Sequence, residues 1–386
     1  MTSCYADLHI HIGRTMSGRP VKITGSRSLT LPNILTFSKH AKGLSMVGVI
    51  DCHSPEVITE IEDMIKDGVL LEAEGGGFLY GSDLCLIPGS EIEINDTSCS
   101  GPIHVLVYLP DLSALKEWSG WLAQRMSNIT LSSQRIYAEA TEVQQKTADL
   151  GGLFVPAHVF TPFKSMYGKG VKNSLTEVFD PCRIDGIELG LSSDTMMADG
   201  IMELSCYPFL TSSDAHSLEK IGREHMELLV SQLSFQELKM AIQRKDGRMI
   251  SANFGLNPLL GKYYENVCAD CLNVLADQRA CTVCGSVKKI KGVSKRIEEL
   301  KAVNKEKSQR PPYHHQVPLE FIPGIGARTL EKLRVHFGND MYVLHHAREE
   351  ELRRILPHAA TQNVIKARNG QLLIRAGGGG SYGTIE

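Results

Sequence analysis

Four places in the chain set metal-ligand side chains at alternate positions: Asp7-x-His9-x-His11, Asp51-x-His53, Glu91-x-Glu93 and Asp214-x-His216. Alternate positions of a strand project from one face, so each pair can aim at a common point. His104 and His158 add two further imidazoles. Mixed imidazole and carboxylate donors suit Zn²⁺ or Mn²⁺ better than Mg²⁺ or Ca²⁺, which prefer oxygen. Two such ions close together activate water and stabilise the leaving oxygen of a phosphate ester. A lone His at a strand end is usually a hydrogen-bonded polar residue, and His40 and His225 are read that way. Coincidence is a poor account of the whole set. Arg14, Lys164 and Lys169 are cations that could neutralise phosphate, or plain surface residues.

A second metal signature is Cys268-x₂-Cys271-x₉-Cys281-x₂-Cys284. Two CxxC knuckles supply four thiolates in tetrahedral reach and leave no open coordination position, so the expectation is one structural zinc ion. The other six cysteines (Cys4, Cys52, Cys85, Cys99, Cys182 and Cys206) have no pairing rhythm, and no signal peptide is expected; they read as reduced thiols of a cytoplasmic protein. No apolar run is long enough for a membrane span.

These side chains need strands to carry them. Apolar runs at Val47–Ile50, Leu84–Ile87, Ile103–Val107, Leu153–Val155 and Ile184–Leu189 predict buried strands. Helical segments are expected over Pro55–Lys66, Leu131–Asp149 and Ser234–Lys245, the last with Ser234 and Glu237 as a capping box. Strand–helix alternation implies a mostly parallel α/β sheet, whose strand C-terminal ends assemble the site. The expected organisation is a catalytic domain over 1–257 and a zinc ribbon over 258–293. A charged helix and linker over 294–317, a helical segment over 318–375 and a flexible glycine-rich tail over 376–386 would follow.

Residues 286–386 hold 18 basic and 10 acidic residues, a charge of +8, whereas the remainder holds 23 basic and 34 acidic, a charge of −11. An acidic body with a basic tail fits a metal-loaded domain joined to a polyanion-binding segment. Lys288, Lys289 and Lys291 give the ribbon a basic edge. Phe321-Ile-Pro-Gly324-Ile-Gly326-Ala327 precedes a helix with Leu330 and Leu333 on one face and Gly338 as its stop, which resembles a helix-hairpin-helix motif. Its Gly-Ile-Gly turn would offer backbone N–H groups to a DNA phosphate. A second helix pair is expected at Glu349–Leu356 and Ala359–Lys366, with His358 in place of the glycine turn.

Asp7-Leu-His9-Ile-His11, Asp51-Cys-His53, Gly89-Ser-Glu91, His104, Pro156-Ala-His158 and Ser213-Asp214-Ala-His216 resemble, in order, the motifs of the polymerase-and-histidinol-phosphatase (PHP) superfamily over about residues 1–255. The resemblance implies a distorted (β/α)₇ barrel that hydrolyses phosphate esters with two or three Zn²⁺ or Mn²⁺ ions. Carried over, His9, His11, Glu91 and Asp214 would hold one ion, Glu91 would bridge to a second on His104 and His158, and His53 and His216 would belong to a third site. Superfamily members often supply another His shortly after the first pair, where this chain has Arg14, Thr15 and Ser17. Asp214, Glu91 and His158 would carry the catalysis. Asp7 and Asp51 are expected to hydrogen-bond the free nitrogens of ligating histidines, and Glu93 and Glu188 to be solvated or supporting carboxylates.

The order of barrel, four-cysteine ribbon and basic helical tail resembles the endonuclease Q family, as does His158-Val-Phe-Thr-Pro-Phe-Lys-Ser-Met-Tyr-Gly-Lys169. Its members nick double-stranded DNA 5′ to deaminated bases (uracil, hypoxanthine, xanthine) and abasic sites. The resemblance implies a cytoplasmic, nucleoid-associated DNA repair hydrolase. A flipped base would need a pocket, for which Phe160, Phe163, Tyr167, Phe78 and Tyr80 are candidates, core packing being the plain alternative. Gly324, Gly326, Lys164, Lys169, Lys288 and Lys289 are the candidate DNA contacts. The alternatives are a small-molecule phosphatase of the histidinol-phosphate type, which leaves ribbon and tail idle, and a DNA exonuclease. A replication-clamp peptide would show Q-x-x-apolar-x-x-aromatic-aromatic at a free end, and the tail carries none.

Overall fold

A computed structural model describes residues 1–275, 278–301 and 309–385. It is a mixed α/β structure whose central sheet begins with Thr2–Ile10, a strand buried over its last five residues. That strand runs parallel to Met46–Val49, which in turn runs parallel to Cys85–Ile94. The sheet continues on the other side through His225–Val230 and Met249–Gly255, each antiparallel to its neighbour. The ten-residue strand Cys85–Ile94 is shared: its first half pairs with Met46–Val49, and its second half with Ile103–Tyr108, which passes the sheet on to Leu153–Pro156. The other predicted strands therefore form in a sheet that is mixed rather than mostly parallel, whereas the run Ile184–Leu189 yields only Ile187–Glu188, paired in parallel with Phe209–Leu210 in a separate two-stranded sheet. Apolar runs report burial and carry no information on strand direction.

Close packing of the first two strands depends on Gly48, where a Cβ would lie 2.3 Å from the Leu8 carbonyl oxygen. Pro55–Lys66 is helical as expected, Pro55 taking the first turn where no N–H is needed. The helix expected over 131–149 is shorter, Ala140–Asp149, because Arg135–Ile136 is drawn into the sheet beside Glu93 and Ile94. The Ser234 hydroxyl accepts from the Glu237 N–H, but the Glu237 carboxylate turns away to the Ser231 N–H and Arg248, so the capping box is half made.

The C-terminal helices, Ala327–Phe337, Asp340–His345, Glu349–Ile355 and His358–Arg368, bury Leu333, Val343, Leu344, Leu352 and Val364 in a core of their own. Leu256 and Leu260 join that core from the end of the sheet. Conversely Val293–Leu300 buries Val293 and Ile297 in the main core, and Tyr313–His315 adds a parallel strand to Met249–Gly255. The stretch expected as charged helix and linker is thus built into the body on both sides of 302–308, which lie outside the described residues. The glycine-rich tail, expected to be flexible, folds back as a hairpin pairing Ile374–Arg375 with Thr384–Ile385, and the Gly377 N–H donates to the Leu259 carbonyl. Glycines with φ near +61° and +81° at Gly379 and Gly380 permit that tight reversal.

Candidate metal centre

Strand Thr2–Ile10 and its continuation bring His9 and His11 into the interior, both with no exposed surface. His9 Nε2 lies 3.5 Å from Asp214 Oδ1, and His11 Nε2 lies 3.4 Å from the same oxygen. Glu91 Oε1 stands 2.9 Å from His104 Nδ1 and 3.3 Å from His158 Nε2. Two sets of donors result, His9–His11–Asp214 and Glu91–His104–His158, each with its atoms within 4.8 Å of one another. They adjoin through Glu91, whose two oxygens are each 3.7 Å from an Nε2, that of His9 and that of His11.

Whether these residues fit metal ions is answered by the nitrogens left over. His9 Nε2, His11 Nε2, His104 Nε2 and His158 Nδ1 are buried without a hydrogen-bond partner, a state that costs free energy unless something else satisfies them. The opposite nitrogens are fixed: His9 Nδ1 faces Glu188 at 2.9 Å, and His11 Nδ1 faces Asp51 Oδ2 at 3.0 Å. Carboxylates placed this way hold the Nδ1 proton and free the Nε2 lone pair for a metal. Burial alone would depress the His9 ring, but Glu188, Asp214 and Glu91 outweigh it and push its pKa up to about 10. The site therefore calls for positive charge, which bound divalent cations satisfy.

Backbone strain marks the same place. His158 and Asp214 have φ of +30° and +47°, the left-handed region that non-glycine residues seldom occupy. Such conformations concentrate at functional sites, where the surrounding structure holds them. Asp7 has a different part from the one expected of it. Its carboxylate accepts from the Ser213 and Gly222 N–H groups and ties the loop bearing Asp214 to the first strand, without touching a histidine ring. Glu93 lies 3.8 Å from His104 Nε2 and pairs with Lys164 at 2.8 Å, and the nearby His104 ring and the Lys164 ammonium push its pKa down to about 2.

His53 is buried with both ring nitrogens unpartnered, yet it belongs to neither donor set; nor does His216, whose ring packs 4.6 Å from that of His11. Lys22, unremarked in the sequence, places Nζ 3.1 Å from Glu91 Oε2 and donates to the Ser133 hydroxyl at 2.6 Å. Contacts spanning so many residues leave no local pattern to find.

Beside the centre opens a cavity of about 480 Å³, lined by His158, Glu188, Asp214 and His216, by the cations Lys220, Arg223 and Lys262, and by Tyr263 and Tyr382. Tyr382 arrives on the tail hairpin, where Arg223 reaches its hydroxyl at 3.2 Å and Lys262 sits 4.5 Å from its ring. Of the aromatic candidates, Phe160 and Tyr167 stack on each other in the core and Phe163 meets Tyr263 edge-on. Phe78 is fully buried in a strand paired with Cys85 and Leu86, and the Tyr80 hydroxyl meets that of Thr36. Neither lines the cavity: Phe78 packs in the core, and Tyr80, just beyond that strand, also has Lys39 over its ring.

Lys169 and Lys289 come together with Phe160, Phe163 and Tyr167 around a separate groove of about 440 Å³. Lys288 is exposed on the ribbon, and Gly324 and Gly326 lie at the turn before Ala327–Phe337, with Gly326 at its N-cap. The four cysteine sulfurs of the ribbon lie within 4.8 Å of one another, a set able to bind a metal ion.

No family model matches the sequence. The chain is 54% identical to the protein YqxK of Bacillus subtilis over 387 residues, covering all of both chains. It is 38% identical to MJ0043 of Methanocaldococcus jannaschii over 254 residues, covering 58% of this chain and 31% of that one. Among solved structures it superposes on the lesion-specific endonuclease PfuEndoQ of Pyrococcus furiosus with a TM-score of 0.85 at 30% identity, covering all of this chain and 95% of that one. An endonuclease Q complex with a 27-mer duplex substrate carrying an abasic lesion at the active site gives the same score and identity, with 96% of that chain covered. With a donor set that fits metal ions, and agreement over its whole length, the chain belongs to the endonuclease Q family.

Proposed function

We propose that this chain is a DNA repair endonuclease that hydrolyses the phosphodiester 5′ to a deaminated base (uracil, hypoxanthine or xanthine) or an abasic site. The observation that carries the reading is the pair of donor sets adjoining at Glu91 and opening on a cavity with three cations. His9, His11 and Asp214 would hold one Zn²⁺ or Mn²⁺ ion, and His104 and His158 a second, with Glu91 shared between them. Bound there, divalent ions polarise the phosphate and stabilise charge on the leaving oxygen.

The remaining work falls to the chain's own side chains. Arg223, Lys220 and Lys262 set positive charge along the cavity wall, where a backbone phosphate needs it. Tyr263 and Tyr382 offer apolar faces on which an extruded base or its sugar can stack. Glu188 and Asp51 keep the ligating rings oriented before substrate arrives. Outside the cavity, Lys169 and Lys289 in their groove, Lys288 beside it and the Gly324–Gly326 turn supply phosphate contacts that position a duplex without reading its sequence. A Zn²⁺ ion in the ribbon and a helix-hairpin-helix role for the C-terminal helices complete the reading.

The test is cleavage of a labelled duplex carrying one deoxyuridine or deoxyinosine, with Mn²⁺ or Zn²⁺, by wild type and Asp214→Ala. A single nick 5′ to the lesion, absent from the variant, is expected. Untouched lesion DNA together with turnover of p-nitrophenyl phosphate would overturn the reading in favour of a small-molecule phosphatase.

A further inference from the structure

We infer that Tyr382, delivered by the C-terminal hairpin, positions Arg223 and Lys262 as a two-pronged clamp on a phosphate of the cleaved strand. The inference rests on the reading above and adds a positioning residue to it. The hairpin is firmly seated. The Gly377, Gly383 and Gly380 N–H groups donate to the Leu259, Leu260 and Lys262 carbonyls, at 2.7, 3.0 and 3.4 Å. It also lies against the ribbon: a Cβ on Gly378 would stand 2.5 Å from Val274 Cγ2, and one on Gly379 would stand 2.4 Å from the Leu272 carbonyl oxygen. The glycine run is thus the shape that fits between residues 259–262 and the ribbon, and Tyr382 follows it into the cavity.

What Tyr382 meets there is cationic. Its hydroxyl accepts from Arg223 Nη1 at 3.2 Å, and its ring lies 4.5 Å from Lys262 Nζ and 5.6 Å from the Arg223 guanidinium carbon. Arg223 is buried, and its other nitrogens are engaged: Nε donates to the Ser213 carbonyl at 2.8 Å and Nη2 to that of Asp214 at 3.4 Å. The bond to Tyr382 therefore fixes the remaining arm of a guanidinium already tied to the loop that bears a metal ligand. Lys220 lines the same cavity, and among the described residues no carboxylate stands in ion-pair range of any of these three cations. Left to themselves such charges repel one another. A carboxylate between them would cancel the charge, whereas a tyrosine holds two of them by its hydroxyl and its ring face and leaves their charge for a phosphate. Stacking on a base would serve only lesions that still carry one. A phosphate is common to deaminated and abasic sites.

The test is single-turnover cleavage of duplexes carrying one deoxyuridine or one abasic site by the full-length protein loaded with Mn²⁺, at several salt concentrations. Tyr382→Leu should raise the half-saturating concentration roughly tenfold on both duplexes, with little change in maximal rate. The slope of log affinity against log salt should become shallower by about one, as when a single phosphate contact is lost. Tyr382→Phe keeps the ring and should show a smaller rise of roughly threefold. Deletion of 376–386 should match Tyr382→Leu, and all variants should hold as much metal as wild type. A loss confined to the deoxyuridine duplex would make Tyr382 a stacking residue only and overturn the inference. An unchanged salt slope, or a loss of metal in Tyr382→Leu, would overturn it too. Should the deletion not fold, the two substitutions at the half-buried Tyr382 decide. Wild type that cleaves neither duplex would defeat the broader reading instead.

Discussion

The ribbon and the histidine–carboxylate centre are both suited to metal, yet they are built in opposite ways. In the ribbon two strands of two residues each, Val267–Cys268 and Lys289–Ile290, frame the cysteines, and the buried cluster there is Cys268, Leu275 and Cys281. Its sulfurs approach in pairs at 3.5 Å, and the Cys284 N–H helps pull Cys281 down to about 6, towards the thiolate a metal requires. The centre instead lies inside a large sheet, its imidazoles aimed by carboxylates that are themselves held by backbone N–H groups. In the ribbon the metal would make the structure, whereas in the centre the structure makes the metal site.

The strongest way to break this contrast is to strip the metal. A structural zinc ion supplies roughly 10–16 kcal/mol of apparent binding energy to a module that has little core of its own. Chelation, or Cys268→Ser with Cys281→Ser, should leave the amides of 267–275 and 281–290 exchanging within seconds, while Thr2–Ile10 and Cys85–Ile94 stay protected. Hydrogen exchange read by mass spectrometry decides it, and ribbon amides that remain slow without metal would contradict the contrast. Chelation should also abolish cleavage and lower the melting temperature of the sheet, which nonetheless stays folded.

A smaller effect separates histidines kept neutral for packing from those kept for metal. His225 Nε2 meets His345 Nε2 at 3.1 Å where the C-terminal helices dock on the sheet, among Tyr5, Phe254, His314, His346, Arg368 and Lys42. Burial pushes His225 down to about 4 from an ordinary 6.5, and His345 is lowered as well, also by burial. The unfolded chain therefore binds more protons, so stability is fully present above pH 6.5 and is lost as pH falls from 6.5 towards 4. His225 alone accounts for about 3 kcal/mol of that loss. Urea midpoints at pH 7.5 and 5 should diverge accordingly, and His225→Phe should narrow the gap. An equal gap in that variant would show that the docking histidines do not govern it.

Legibility followed period and distance. Alternate His and carboxylate positions could be read because a strand repeats every second residue, and Pro55–Lys66 because Pro and an apolar stripe start and sustain a helix. Glu188 was underrated because its strand, Ile187–Glu188, is two residues long and shows no period. Lys22 meets Glu91 across 69 residues, and Tyr382 reaches the cavity from a tail whose glycines read as looseness. The parallel and antiparallel pairings of the sheet were equally silent, since a buried strand is apolar whichever way it runs.

The finest test asks whether one carboxylate serves both donor sets. Glu188 takes His9 Nδ1 on its two oxygens, at 2.9 and 3.1 Å, and the His158 N–H at 2.9 Å, so it braces one ligand from each set. Asp51 accepts from His11 Nδ1 and the Ile12 N–H and braces the first set alone. Removing the charge while keeping the shape, by Glu188→Gln or Asp51→Asn, should weaken metal binding by about 10–100-fold, the usual effect of losing an outer partner. The two variants should differ in pattern. Glu188→Gln should weaken both ions, because the His158 backbone and the His9 ring share its carboxylate, whereas Asp51→Asn should weaken only the ion on His9, His11 and Asp214. Competition with a chromophoric chelator resolves two successive affinities. If Asp51→Asn lowers both affinities equally, the sets are coupled through Glu91 more tightly than through their braces, and the centre behaves as one site rather than two adjoining ones.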